Sequence, residues 1–327
     1  MKFTIKNIVH IIAAIAGIVL ITACKEDTDD QDKTDQEQRF FDLYVGANYP
    51  DVVPQSNGLY FLEHKAGTGS SPDSDDWVMV NHVCYKIPED IIYESYVENV
   101  AIDHQFYDTI AMYGPYKMLN GSRNPGLTEG LTLMSEGSQA TIFFTSDLGY
   151  GSEGEGKVSP YESLKYEVEL LEVIKDMDAY EQAKIDTYMD TVPQYDTIHD
   201  PETDAIMYYI IDEATDGKQV ATDSLIEVAY KGYLIDGRVF DEKTAAAPLE
   251  MKVGGVEVIN GWDLGLLKLK EGEKARFIIP YQLGYDEAGS EAESGLRVVP
   301  PYETLLFDIE IISVKFDPED ASKEVDE

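Results

Sequence analysis

The sequence predicts an α+β protein with two tandem domains of one fold, in which a curved antiparallel β-sheet wraps a short α-helix. The first observation is length, since 327 residues correspond to about two domains at the usual ~150 residues each. The second is an internal repeat of motifs. The third is a period-two alternation of apolar and polar residues, which is typical of strands with one buried face. A helical linker is expected between the domains.

The two halves of the chain share one order of strands and turns. In each half a strand leads to a glycine-containing turn, a second strand follows, and a proline turn precedes the last strand. Two copies of one fold is the economical interpretation. The matching segments are 58–62 with 206–210, 77–85 with 225–233, 126–151 with 261–286, and 159–166 with 300–307.

Strands and the first helix are placed by the spacing of their apolar residues. Alternation at Ala140–Phe144, Lys165–Leu171 and Arg276–Ile279 predicts antiparallel strands in the core. A helix is expected around Gln38–Val45, before the first domain.

Two further helices complete the predicted architecture. Asp178–Asp190 is a helix candidate that prolines end, so residues 175–200 are expected to be the linker. Asn260–Leu269 carries apolar residues at helical spacing and is expected to be a short helix against the sheet. The predicted domains are therefore 39–174 and 201–316, followed by an acidic tail, 317–327.

The N-terminus has the organisation of an export signal. Lys2 and Lys6 precede the apolar stretch Ile8–Leu20, which is shorter than the ~20 residues that a membrane span needs. Ile21–Cys24 resembles a bacterial lipobox, which implies removal of residues 1–23 and lipidation of Cys24. Several acyl chains make an anchor stable. A plain secretory peptide or a membrane anchor is the alternative.

Residues 24–38 are expected to form an acidic, flexible tether, because they contain few apolar residues to bury. Lys25, Glu26 and Asp27 also resemble the surface-export tag of lipoproteins in some Gram-negative bacteria. The chain is therefore expected to be an outer-membrane lipoprotein that faces either the periplasm or the cell surface.

The charge of the chain argues against one class of partner. A formal net charge of −38 repels phosphate backbones, so no nucleic-acid partner is expected. Solubility of an exposed surface is the ordinary interpretation of such acidity, and attraction of basic partners is the alternative. With Cys24 lipidated, Cys84 has no partner for a disulfide and is expected to be a buried, inert thiol.

The last third of the chain carries the most specific signal. It contains VAYKGYLIDGRVFDE (228–242), VEVINGWDLGLLKLKEGEKARFIIPYQLGY (256–285) and VVPPYETLLFDIEI (298–311). In this order, the Asp-Gly turn, the Ile-Asn-Gly-Trp segment, the Gly-Tyr loop and the Pro-Pro turn resemble the FKBP-type peptidyl-prolyl cis-trans isomerases. Both predicted domains are therefore expected to be FKBP-like.

The resemblance implies catalysis of rotation about X-Pro bonds. Rotation about an amide meets a barrier of ~18–20 kcal/mol, and X-Pro isomers exchange over tens to hundreds of seconds. No bond is broken, so no nucleophile, metal or cofactor is required. An apolar pocket that favours the twisted amide by about 5.5 kcal/mol gives ~10⁴-fold acceleration.

The resemblance also assigns the residues of that pocket. Trp262 is expected to be an open floor under the proline ring, and the Ile259 N–H to hold a substrate carbonyl. Val298, with Val299, closes one side. The remaining site residues are Tyr230, Phe240, Asp241, Val258, Tyr285 and Phe307.

Each of these residues has an ordinary structural interpretation when taken alone. Trp262, Phe307 and Val258 are typical core residues, and their joint occurrence in the family's order favours a prolyl pocket. The sequence departs from the family at Leu249 and Met251, where aromatics are common. It also departs at Asp286, where glycine commonly follows the tyrosine.

The first domain is expected to be a degenerate copy. Alignment of the halves places His82 opposite Tyr230, Cys84 opposite Gly232, Leu127 opposite Trp262, Tyr150 opposite Tyr285 and Tyr166 opposite Phe307. No counterpart of Phe240 or Asp241 can be placed in the longer segment Ile87–Tyr113.

The leading hypothesis is a lipid-anchored prolyl isomerase that acts on proline-containing polypeptides of the cell envelope. A non-catalytic envelope chaperone or adhesion module that holds extended peptides is the alternative from another class. A structural spacer without peptide binding is the third.

Overall fold

The computed structural model describes residues 30–255, 258–293 and 296–315. The expected signal peptide, the lipidated Cys24 and the acidic tail 317–327 lie outside the described residues. The chain divides into two compact units. Within the described residues, the first comprises residues 30–107 and Tyr113–Val173, and the second comprises Asp108–Met112 and the described part of residues 174–315.

The first unit is a sheet of six strands with three helices. The strand order is β1-β5-β6-β2-β3, with β4 also paired to β2. The β1–β5, β5–β6, β2–β3 and β2–β4 pairs are antiparallel. Its elements are α1 (Asp30–Asn48), β1 (Tyr60–Lys65), β2 (Trp77–Ile87), β3 (Ile91–Ser95), α2 (Glu98–Asp103), β4 (Tyr116–Leu119), α3 (Pro125–Thr132), β5 (Gln139–Phe144) and β6 (Ser163–Ile174).

The second unit has the same plan with a seven-stranded antiparallel sheet. Its order is β10-β9-β15-β12-β8-β7, with β11 also paired to β9 and a separate β13-β14 pair. Its elements are α4 (Met177–Met189), β7 (Asp196–His199), β8 (Ile206–Glu213), β9 (Leu225–Leu234), β10 (Val239–Lys243), β11 (Leu249–Lys252), α5 (Asn260–Leu266), β12 (Lys274–Ile279), β13 (Ser290–Glu291), β14 (Arg297–Val299) and β15 (Leu305–Lys315). The predicted α+β class is confirmed.

One helix in each unit, α3 in the first and α5 in the second, lies directly on the sheet. Its glycines carry no side chain that would hold the helix away from the strands. A Cβ built on Gly265 would stand 2.5 Å from the Phe277 ring of β12, and one on Gly261 would stand 2.5 Å from Ile279. In α3 of the first unit, Gly126 and Gly130 have the same relation to β5. The repeat seen in the sequence is thus also a repeat of this helix–sheet contact.

A helix precedes each sheet and attaches to it through a buried glutamate. The Glu37 carboxylate of α1 accepts hydrogen bonds from the Ser146 N–H at 2.7 Å and the Ser163 hydroxyl at 2.7 Å. The Glu181 carboxylate of α4 accepts from the Thr304 N–H at 3.2 Å and its hydroxyl at 2.9 Å. Both helices are therefore parts of their units.

Two expectations about these segments were wrong. The tether was expected to extend through residue 38, but α1 begins at Asp30 because Glu37, Phe41 and Tyr44 give the acidic segment a buried face. Residues 175–200 were expected to be a helical linker. The predicted helix is present as α4, but it packs on the second sheet, and β7 pairs with β8. Because both segments are polar in composition, these contacts were not predicted from the sequence.

Cys84 is fully buried in the core of the first unit. Burial raises the pKa of its thiol to about 12, so it stays protonated at neutral pH and is a poor nucleophile.

Candidate functional site

The Trp262 side chain is positioned by the first turn of α5. Ile259 is the N-cap residue of this helix and has an extended backbone conformation. The backbone N–H of Trp262 donates to the Ile259 carbonyl at 2.9 Å. The glycines of α5 hold the helix close to β12. The indole is thereby held in the hydrophobic core of the second unit.

Two aromatic rings contact the indole, and two more continue the cluster from Phe307. The Trp262 ring lies 4.9 Å from the Tyr230 ring and 5.2 Å from the Phe307 ring, both nearly perpendicular to it. Phe240 lies 5.5 Å from Phe307 and 6.4 Å from Tyr285. Perpendicular pairs at these separations are favourable arrangements of aromatic quadrupoles. We call Tyr230, Phe240, Trp262, Tyr285 and Phe307 the aromatic basin.

The strand register explains how the rings share one face. Gly232 pairs with Phe307 on β15 and with Asp241 on β10. A Cβ on Gly232 would stand 2.7 Å from both the Phe240 and Phe307 rings. Glycine at this position therefore makes room for two of the rings.

A polar group stands at the edge of the aromatic basin. The Tyr230 hydroxyl donates a short hydrogen bond to the exposed Asp241 carboxylate. Burial raises the pKa of the Tyr230 hydroxyl, and the bond to Asp241 raises it further. Burial, followed by the charge of Asp241, also raises the pKa of Tyr285. Both phenols stay protonated at neutral pH and remain hydrogen-bond donors.

The structure brings the predicted site residues together. Val258, Ile259, Tyr285 and Val298 are partly buried against the core that holds Trp262, and Val299 is buried in it. Their catalytic roles stay predictions.

The departures from the family have local explanations. Met251 is buried in the same core and Leu249 packs against it, so both are core residues. Asp286 has a φ of 55°, a left-handed conformation that favours glycine and that aspartate tolerates.

One expectation about Trp262 was wrong. We expected an open floor, but the side chain of Trp262 is only 3 % exposed. Its indole nitrogen is buried and has no hydrogen-bond partner among the described residues. Such orphaned donors are rare in folded proteins. An N–H without an acceptor in the aromatic basin is suited to a ligand carbonyl.

The first unit has a polar cluster where the second has the aromatic basin. Cys84 pairs with Glu94 across β2 and β3, as Gly232 pairs with Asp241 across β9 and β10. Glu94 is therefore the counterpart of Asp241, and Tyr93 that of Phe240. Sequence comparison missed them because the hairpin has no Asp-Gly turn and its neighbouring segment is longer.

The polar cluster is built on a charged pair. The Arg123 guanidinium donates to both Glu94 carboxylate oxygens, at 2.7 and 2.9 Å. His82 Nε2 lies 3.5 Å from Glu94, and the Tyr116 hydroxyl lies 3.2 Å from His82 Nδ1. Leu127, opposite Trp262 in the alignment, is buried and carries no polar group. The first unit therefore has charged groups at the place where the aromatic basin of the second unit has an apolar floor.

The charged pair predicts an acid-sensitive first unit. Burial alone would raise the pKa of Glu94, but His82 and Arg123 outweigh it and lower that pKa from 4.5. A carboxylate with a lowered pKa stabilises the fold above its ordinary pKa, and that stabilisation is lost as the pH falls below it. Glu94→Gln is expected to lower the free energy of unfolding by about 2 kcal/mol at about pH 7, because Arg123 loses charge-assisted hydrogen bonds to the carboxylate. The difference should shrink towards about pH 3.

Urea unfolding of proteins that carry Trp262→Phe, followed by the fluorescence of Trp77, which lies in β2, measures this effect. Glu89→Gln, at an exposed carboxylate in the turn between β2 and β3, is the matched control and should change the stability little. A Glu94→Gln effect of the same size at both pH values would contradict the prediction.

An antiparallel sheet wrapped around a short helix, with an aromatic basin over the helix start, is the arrangement expected of an FKBP-like domain. The chain belongs to the family described as FKBP-type peptidyl-prolyl cis-trans isomerase, whose model matches residues 88–171 and 216–312. Both units thus contain a family match.

Parts of the chain are similar to named relatives and to a solved structure. FKBP-type peptidyl-prolyl cis-trans isomerase FkpA of Escherichia coli K12 is 38% identical over 122 residues, which is 37% of this chain and 42% of FkpA. Peptidyl-prolyl cis-trans isomerase FKBP15-2 of Arabidopsis thaliana is 45% identical over 94 residues, covering 28% of this chain and 55% of that protein. The crystal structure of FkpA from Escherichia coli is 33% identical, with a TM-score of 0.35, over 43% of this chain and 64% of that one.

No helix among residues 30–255, 258–293 and 296–315 is long and apolar enough to span a membrane. The same part of the chain contains no cluster of three or more His, Cys, Asp or Glu that could hold a metal ion.

Proposed function

We propose that this chain is a lipid-anchored peptidyl-prolyl cis-trans isomerase whose active site is the aromatic basin of the second unit. The observation that carries this proposal is the convergence of Tyr230, Phe240, Trp262, Tyr285 and Phe307 on one basin. This set combines an apolar floor, aromatic walls and protonated phenols at the edge.

Catalysis in this proposal is selective stabilisation of the twisted amide. The proline ring lies against Trp262, and the surrounding rings exclude water from the imide carbonyl. A planar amide is more charge-separated than a twisted one, so removal of water destabilises the planar form more. The Ile259 N–H and the Tyr285 hydroxyl hold neighbouring carbonyls, which fixes the peptide on both sides of the rotating bond. Asp241 orients the Tyr230 hydroxyl.

We propose that the first unit is not catalytic. Support comes from its polar cluster, in which Arg123 and Glu94 are paired and Leu127 stands in place of the indole. An ion pair keeps water in the pocket, which opposes the desolvation that the reaction uses. A role in binding extended peptides is compatible with this pocket.

We further propose an envelope location. Ile21–Cys24 supports removal of the signal and lipidation of Cys24, and Lys25–Asp27 supports attachment at the outer membrane. In this setting the substrates are proline-containing segments of exported polypeptides that fold in the envelope. Radiolabelled palmitate incorporation that disappears in Cys24→Ala would test the anchor.

Asp241→Ala tests the proposed site. The full chain is expected to accelerate cis-trans exchange of short X-Pro peptides in a protease-coupled assay. Asp241→Ala should lower kcat/KM about tenfold, because a hydrogen bond to a charged group is worth about 1.5–3 kcal/mol.

Asp236→Ala is the matched control, since Asp236 is exposed and lies in the turn of the same hairpin, where it pairs with Arg238. It should keep the wild-type rate. A wild-type chain that is no faster than buffer, but suppresses aggregation of an unfolded protein, would favour the chaperone alternative.

A further inference from the structure

Met112 is a buried side chain in an otherwise exposed stretch of the chain. It lies between α2 and β4 in sequence, yet Asp108–Met112 belongs to the second compact unit. Phe106, Tyr107 and Ile110 are exposed, whereas Met112 is 6 % exposed. A single apolar side chain is therefore withdrawn from solvent in this segment.

Met112 is buried in the core of the second unit, which also holds the candidate active site. Met112 belongs to the same buried cluster as Trp262, Phe307 and Val299. Its backbone N–H donates to the Arg297 carbonyl at 2.7 Å. Arg297 begins β14, which also contains Val298, the predicted side wall of the basin. The main chain of Met112 is thus fixed beside the wall of the aromatic basin.

A local turn directly precedes Met112. Asp108 Oδ1 accepts from the Ile110 N–H at 2.9 Å, and the Asp108 carbonyl accepts from the Ala111 N–H at 3.3 Å. The turn directs the chain without burying Thr109 or Ile110. Insertion of Met112 is therefore a contact of one side chain rather than of a packed strand or helix.

We propose that Met112 is a built-in occupant of the prolyl pocket, which substrate must displace. This inference depends on the proposed function of the second unit. It accounts for an indole that is 3 % exposed in a pocket of the family's composition. Methionine suits the role because its unbranched side chain fills irregular apolar spaces, and it carries no imide bond to rotate. The main-chain bond to Arg297 imitates the hold of a bound peptide.

The proposal has a kinetic signature. An intramolecular occupant competes with substrate, so the apparent affinity falls in proportion to the fraction of molecules in which the pocket is free. Removal of the occupant lowers KM and leaves kcat unchanged. If Met112 fills the pocket for about nine-tenths of the time, KM falls about tenfold in its absence.

Met112→Ala in the full chain is the first test. Its kcat/KM for a short X-Pro peptide should rise several-fold, up to about tenfold, through KM. Ile110→Ala is the matched control, because Ile110 is an apolar residue of the same segment that is 56 % exposed. Met112→Leu keeps the apolar volume and should retain most of the wild-type KM. Equal KM for wild type and a folded Met112→Ala would overturn the proposal.

Fluorescence provides a readout that does not require activity. The chain has two tryptophans, so Trp77→Phe leaves Trp262 as the only indole. In that background, acrylamide should quench Trp262 more strongly when Met112 is alanine, and unchanged quenching would overturn the proposal.

The same signal separates the two proposals if no variant isomerises a peptide. The isomerase function would then be wrong, and the Trp262 emission would be titrated with the X-Pro peptide. Tighter binding by Met112→Ala than by wild type would still support Met112 as the occupant. Equal binding, or none by either protein, would reject it.

Discussion

Trp262→Leu is expected to reduce kcat/KM for X-Pro peptides by about 30-fold, the largest loss of activity from any single change proposed for this chain. The indole contacts both Tyr230 and Phe307, so its removal opens the floor of the basin. Loss of a buried aromatic contact costs about 1.5–3 kcal/mol, which corresponds to roughly tenfold to more than a hundredfold in rate. Water that enters the space also solvates the planar amide.

The measurement is the protease-coupled assay on full-length protein, with circular dichroism and urea unfolding to show that the variant is folded. Trp77→Leu is the matched control, since it makes the same change at the other tryptophan, in β2 of the first unit. It should keep the wild-type kcat/KM. A folded Trp262→Leu variant with at least half of the wild-type kcat/KM would remove the indole from the mechanism.

Gly265→Ala is expected to destabilise the second unit by about 1–3 kcal/mol, and to lower activity with it. The new Cβ would stand 2.5 Å from the Phe277 ring, and a ring that is packed in the core cannot rotate away. Either α5 moves off β12 or Phe277 shifts, and Trp262 moves with the helix. The steric cost exceeds the ~1 kcal/mol that alanine gains over glycine in a helix interior.

Gly46→Ala is the control with the opposite sign. Gly46 lies in α1, and a Cβ built there has no heavy atom within 4 Å. Alanine should therefore raise the free energy of unfolding by up to about 1 kcal/mol. Urea midpoints measure both variants. A Gly265→Ala protein as stable as Gly46→Ala would show that the helix–sheet contact is looser than the structure indicates.

Most of the second unit could be predicted from its residues. The Asp236-Gly237 turn, the alternation along β12 and the spacing of Trp262 and Leu266 predict elements that the structure contains. These signals are local, since a turn needs a residue that tolerates its backbone angles and a half-buried strand needs alternation. The order of the aromatic residues then indicated which of them would meet.

The polar segments were harder to interpret. Residues 30–38 and 196–199 are strongly hydrophilic, and both were assigned to flexible or linking regions. Glu37 is nonetheless buried, because its carboxylate satisfies a backbone N–H and two hydroxyls. Composition records the cost of burying a charge, but not the hydrogen bonds that offset it.

By itself, the sequence determined that the chain repeats one α+β fold. It also determined that the second copy carries the aromatic residues that are typical of the family's pocket. Only the tertiary structure decided that Glu94 is the counterpart of Asp241 and that Glu37 and Glu181 attach the preceding helices to their sheets. It also decided that Met112 belongs to the same core as Trp262. The physical reason is distance along the chain. Turns and strands arise from neighbouring residues, whereas strand register and insertion of a remote side chain depend on contacts between segments that the sequence separates.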